Sequence, residues 1–228
     1  MPSWTKSLNF SNVKRLATAS LLASALILAP VVEDAVTAAQ PKASVVLAKL
    51  AVKGRAPKTG YDRALFSDGW GSIGNCDTRN YILARDLKSI TWRSSPACTV
   101  ATGILDDPYT GRRINFVRGV GTSTAVQIDH VVAVSDAWQK GAQQLSSSKR
   151  YNFYNDPLNL LAVDGPTNGQ KSDSDAASWL PPNKSFRCAY VARQIAVKYK
   201  YGLWVTSAER SAMAQVLSSC PNQLTPAG

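Results

Sequence analysis

The sequence holds a single histidine, His130, and it directly follows Asp129. Asn159 comes next, and then the run Asn168-Gly169-Gln170-Lys171. Imidazole has the unperturbed pKa nearest neutrality, so it suits the removal of a proton from an attacking water. A carboxylate and an amide carbonyl are hard oxygen donors that suit Mg²⁺ better than a softer metal. Two such ligands leave positions for water and for a substrate oxygen, and a lysine supplies a point charge for a phosphate. Together these groups match the needs of phosphodiester hydrolysis. In that reaction a water must lose a proton while charge builds on phosphate oxygens and on the departing oxygen. Residue types alone do not decide the matter, because lone histidines also pack in cores and asparagines also make turns.

The elements that must position these residues can be read from the pattern around them. Ala125 to His130 alternates as a strand, and Leu158 to Val163 forms a second one, ended by Asp164-Gly165-Pro166. Helical patterns run from Ser135 through Trp138 and Ala142, and again over Lys149 to Tyr154. A polar helix is expected from Thr167 toward Trp179, stopped by Pro181-Pro182. Upstream, residues 80–87 read as a short helix. Residues 99–105 and 112–117 read as a hairpin around the turn signal DPYTG. Two helices close the chain, over about 184–200 and 207–220, with Thr206 as N-cap of the second. The class is α+β.

At the N-terminus, Lys6, Lys14 and Arg15 precede an uncharged run over residues 16–32, and small residues follow at Ala38 and Ala39. That is the pattern of an export signal. The run is short for a membrane span, which needs ~20 apolar residues. The expected organisation is a signal peptide at 1–39, a linker at 40–60 and a folded domain at 61–228. Four cysteines behind an export signal favour two disulfides over a zinc site, since no C-x-x-C spacing occurs. Three pairings are open, and Cys76–Cys98 with Cys188–Cys220 is favoured because each closes a local segment.

Twenty-six basic residues against fifteen acidic ones give a net charge of +11, which points to a polyanion partner or an acidic envelope. One histidine cannot build a multi-histidine zinc cage. The absence of a G-x-S-x-G elbow removes the serine-hydrolase reading. The stretch GPTNGQKS at 165–172 has glutamine where a Walker motif needs its second glycine. What remains is a phosphodiesterase or, as the alternative, a non-catalytic basic protein that binds nucleic acid or the envelope.

The strings IDHVVAVSDAW at 128–138 and DPLNLLAVDGPTNGQKSDSD at 156–175 resemble the ββα-metal unit of HNH endonucleases, in the variant whose last histidine is an asparagine. With YDR at 61, CDTRN at 76, DPYTG at 107 and WLPPN at 179, the chain resembles small exported HNH-family proteins related to the C-terminal domain of the GmrSD restriction system. The resemblance implies a ββα-metal core with an N-terminal β-hairpin and added C-terminal helices. It implies His130 as general base, Asp129 and Asn168 as metal ligands, Asn159 as the brace of the loop and Lys171 as a phosphate contact. The implied cofactor is Mg²⁺, with Mn²⁺ second. The implied substrate is nucleic acid, DNA ahead of RNA, and the implied protein is a secreted monomer.

Overall fold

Two strands carry the centre of the molecule, β6 (Val126–His130) and β7 (Leu160–Asp164), paired antiparallel with Asp129 opposite Leu161 and His130 opposite Leu160. The computed structural model describes residues 40–94 and 98–227. The expected signal peptide at 1–39 lies outside the described residues. Helix α5 (Gly165–Lys171) follows β7 without a break. Asp164 caps it by accepting from the Thr167 backbone N–H at 2.8 Å and the Thr167 hydroxyl at 2.6 Å. Gly165 is required at the first position, because a Cβ there would lie 2.0 Å from the Thr124 carbonyl oxygen. The helix thereby starts close against the segment that feeds β6.

Both faces of this strand pair are covered, which explains why β7 reads as an unbroken apolar run and not as an alternation. One face places Val126, Ile128, Leu160 and Ala162 in a core with Ile82 and Leu83 of helix α2 (Thr78–Asp86) and with Val100, Leu105 and Phe116. Val100, Leu105 and Phe116 belong to the sheet β3 (Lys88–Trp92), β4 (Val100–Asp106) and β5 (Arg113–Val117). The other face places Leu161 and Val163 against α6 (Arg187–Tyr201), together with Met213 and Leu217 of α7 (Ser207–Ser218). Between the two strands the chain forms α3 (Val134–Gln139) and α4 (Ser147–Asn155), which pack with Phe66 and Val197 in a third cluster. A two-residue ribbon, β1 (Ser72–Ile73) with β2 (Cys76–Asp77), leads into α2.

The class is α+β as expected, and five expectations about segments meet specific outcomes. The stretch 40–60 is not a linker: Ala43–Lys49 forms helix α1, with Ala43, Val46 and Leu47 buried against α6 and α7. Its apolar residues recur at helical spacing, and the Lys and Gly that follow mask that signal in composition. The polar helix expected to reach Trp179 ends at Lys171, because Ser172 turns to a left-handed φ of 50°. The hairpin β4–β5 forms with the DPYTG turn, and the capping box at Thr206 and Glu209 starts α7. The disulfides are Cys76–Cys98 and Cys188–Cys220, with Cα separations of 5.3 and 6.5 Å.

Candidate active site

His130, Asp129 and Asn168 line one cleft of about 300 Å³, in company with Tyr61, Arg63 and Asp173. Adjacent strand residues point to opposite faces, and that is what separates the surroundings of Asp129 from those of His130. Asp129 faces α5. Its Oδ1 accepts from Lys171 Nζ at 2.9 Å, and its Oδ2 accepts from the hydroxyl of fully buried Tyr109. His130 closes the strand on the other side, beneath Trp70. The two rings lie parallel within 6°, with centroids 5.7 Å apart.

The imidazole is held in one tautomer. His130 Nε2 lies 2.8 Å from the backbone oxygen of Tyr154, and a carbonyl only accepts, so Nε2 carries the hydrogen. Nδ1 of the neutral ring therefore keeps its lone pair, and no described donor reaches it. Burial, reinforced by the nearby Arg63 charge, pushes the His130 pKa down to about 3 against the Tyr154 hydrogen bond that raises it. The ring is thus neutral at ordinary pH.

Asn159 is fully buried where β7 begins. Its Oδ1 accepts from the Val132 N–H at 2.9 Å, and its backbone oxygen accepts from the Val131 N–H at 2.8 Å. These bonds tie the two residues after His130 to the second strand and fix the point where the chain leaves β6. Asn168 projects from α5, and its Nδ2 donates to Gln127 Oε1 at 2.9 Å. That bond turns the amide carbonyl away from Gln127, leaving Oδ1 with no described donor.

Lys171 does not fit the phosphate contact expected of it. Its side chain is fully buried, and its ammonium donates to Asp129 Oδ1 and, at 2.9 Å, to the His130 backbone oxygen. The physical reason is the helix period: Lys171, three residues after Asn168, points down onto β6 and not out from the helix start. It orients the Asp129–His130 dipeptide from below.

As metal donors, Asp129 and Asn168 supply hard oxygen atoms, and a carboxylate retains acceptor capacity beyond two hydrogen bonds. Among the described residues no three His, Cys, Asp or Glu side chains converge to hold an ion. The hard oxygens of the lining are one carboxylate, already bonded to Lys171 and Tyr109, and one amide. That set would leave a divalent cation largely hydrated and next to the Lys171 charge. Such an ion would supply charge neutralisation at the reacting phosphate.

A family profile for the C-terminal domain of GmrSD restriction endonucleases matches residues 77–216. The chain belongs to that family. It is also 37% identical over 180 residues to a protein of Arthroderma benhamiae named an uncharacterized secreted protein, a match that covers 78% of this chain and 84% of the other. Membership makes a nuclease-type activity the expected class for this GmrSD-related domain, and its two disulfides fit an extracellular location.

Four residues that shape the cleft were not singled out by their chemistry in the sequence: Arg63, Trp70, Tyr109 and Tyr154. Arg63 and Tyr109 sit in the YDR and DPYTG motifs, the only signal that pointed to them. Trp70 and Tyr154 stand among six tryptophans and eight tyrosines with no distinguishing spacing.

Proposed function

We propose that the protein is a secreted, metal-dependent endonuclease of HNH type that hydrolyses nucleic-acid phosphodiesters, with residues 1–39 as a removed signal peptide. The observation that carries this reading is the imidazole pinned through Nε2 to the Tyr154 carbonyl, with Nδ1 unclaimed, in the same cleft as Asp129 and Asn168. β6, β7 and α5 correspond in this reading to a ββα-metal unit. His130 Nδ1 takes the proton of a water attacking in line. Asp129 and Asn168 would hold a Mg²⁺-type ion, which would supply neutralisation of the charge that develops in the reaction. Asn159 and Lys171 keep the base and the carboxylate in register. The products carry a 5′-phosphate and a 3′-hydroxyl. The net charge of about +10 left after residues 1–39 are removed supports a nucleic-acid substrate; we take DNA ahead of RNA and a monomer as part of the same reading.

The test is nicking of supercoiled plasmid by the disulfide-bonded protein with Mg²⁺, with Mn²⁺ and with EDTA. Metal-dependent nicking that EDTA stops is the expected result. Intact DNA and RNA with folded, metal-supplied protein would leave a basic binding protein as the function.

A further inference from the structure

With Lys171 buried, the cleft needs another group to receive the substrate, and the charges around it single one out. Asp129 is paired with Lys171, and Asp173 at the rim is paired with Lys58 at 3.3 Å. Arg63 is the remaining charged side chain of the lining, and among the described residues no carboxylate pairs with it. Its Nε donates to the Tyr154 hydroxyl at 3.2 Å, and its guanidinium lies 5.0 Å from the centroid of the Tyr154 ring. The Tyr61 side chain is also hydrogen-bonded to Arg63, and no described carboxylate claims the terminal nitrogens. The same Tyr154 holds His130 through its backbone oxygen, and its ring lies 4.4 Å from the imidazole. One residue thus fixes both the base and an unpaired, outward-facing guanidinium beside it. A planar fork held by two phenols and paired with no carboxylate matches two oxygens of one phosphate.

We infer that Arg63 binds the non-bridging oxygens of the phosphodiester that His130 attacks, so that a segment upstream of the matched family region 77–216 supplies the phosphate contact. This rests on the nuclease reading above. The stretch from Tyr61 to Trp70 is then one wall of the active site: Asp62 caps the single turn Arg63–Leu65, Phe66 anchors it in the core, and Trp70 covers the imidazole.

The experiment compares wild type, Arg63→Ala and Arg63→Lys on a fluorescent DNA duplex with Mg²⁺ over a range of salt. Arg63 is exposed, so all three should melt at the same temperature. Arg63→Ala should lose ~10²–10³ in kcat/KM. The slope of log(kcat/KM) against log salt should become shallower by about one, as expected for one lost phosphate contact. Arg63→Lys should restore the slope and only part of the rate, because an ammonium does not bridge two oxygens. Activity of Arg63→Ala within twofold of wild type, or a rate loss with an unchanged salt slope, would overturn the inference. If wild type cleaves nothing, the proposed function falls. Arg63 is then judged by duplex affinity, where equal binding by wild type and Arg63→Ala overturns the inference as well.

Discussion

Two clusters of buried charge lie in this molecule, and they differ in ways that burial alone does not reveal. The first is the cleft, with Asp129, Lys171 and the neutral His130. The second joins Arg55, Lys140 and Lys198 to Asp136, Asp175 and Glu209. Lys140 Nζ alone reaches Asp136, Asp175 and Glu209 at 2.7, 2.6 and 2.7 Å. Lys198 adds Glu209 at 2.8 Å and Asp136 at 3.3 Å, and Arg55 reaches Asp136 at 3.0 Å and Asp175 at 2.7 Å. Three cations face three anions, so the cluster is neutral and its oxygens face charges supplied by α3, α6, α7 and the chain before Tyr61. Nothing is left over for a ligand. In the cleft an imidazole nitrogen and an amide oxygen remain unclaimed, and a guanidinium has no described carboxylate partner. Charge that closes on itself holds elements together, whereas donors and acceptors left open toward a cleft can act on a substrate.

The largest effect should separate the two clusters outright. His130→Ala is expected to lose ~10²–10⁴ in cleavage rate through loss of the base, with affinity for DNA retained. Equal nicking rates for this variant and wild type would return His130 to the class of structural residues. Lys140→Met is the mirror case. It removes the one cation shared by all three carboxylates, leaving two cations to three anions, and should cost about 3–5 kcal/mol of stability, while cleavage per folded molecule is unchanged. Denaturant titration beside an activity assay at low temperature reads both quantities. A stable Lys140→Met protein that has lost activity would mean the second cluster takes part in the reaction.

Asn159→Ala should fall between the two. It leaves the buried Val132 N–H without its acceptor, a cost of about 1–3 kcal/mol, and loosens the exit from β6, so stability and rate decline together. A rate loss without any stability loss would instead point to direct contact with the substrate.

The dependence of stability on pH reads the closed cluster from another side. The Lys198 pKa is raised above the ordinary 10.5 because attraction to Asp136 and Glu209 outweighs the opposing effect of burial. Its contribution is complete below 10.5 and is lost as pH rises through the higher folded value. The Asp175 pKa is lowered below 3.8, with the Lys140 hydrogen bond and the Lys140 and Arg55 charges outweighing burial. Its contribution is complete above 3.8 and is lost as pH falls through the lower folded value. The melting temperature should therefore fall above 10.5, and the alkaline fall should shrink in Lys198→Met. It should also decline as pH drops below 6.5, because buried His130 stays neutral down to about 3 while the unfolded imidazole takes its proton below 6.5. Asp175 adds to the loss below 3.8. The smallest effect belongs to the exposed pair of Arg113 and Asp106, where Asp106→Asn should leave melting temperature and cleavage unchanged within error.

Much of the scaffold was legible in the residues. The strand pair, the hairpin with its DPYTG turn, the terminal helices and the Thr206 cap all follow from local periodicity and turn chemistry. Helix α1 was hidden because it is only seven residues long and is followed by a stretch rich in lysine, glycine and proline. At the site, the sequence singled out His130, Asp129, Asn159 and Asn168, and three of them line the cleft while Asn159 braces the loop behind it. Lys171 was placed in the right helix with the wrong exposure. A phosphate contact needs the side chain to leave the helix outward, and this one points inward.

By itself the sequence determined which side chains could exchange protons, coordinate hard ions or bear charge, and where the central strand pair, the hairpin and the terminal helices would form. Those properties belong to single residues and near neighbours. Only the tertiary structure decided that Tyr154 fixes the imidazole and Arg63 together, that Tyr109 and Lys171 close around Asp129, and that six charged residues drawn from several segments cancel in one cluster. Such pairings depend on distances between segments dozens of residues apart. Folding sets those distances through the packing of the whole core, and no local pattern records them.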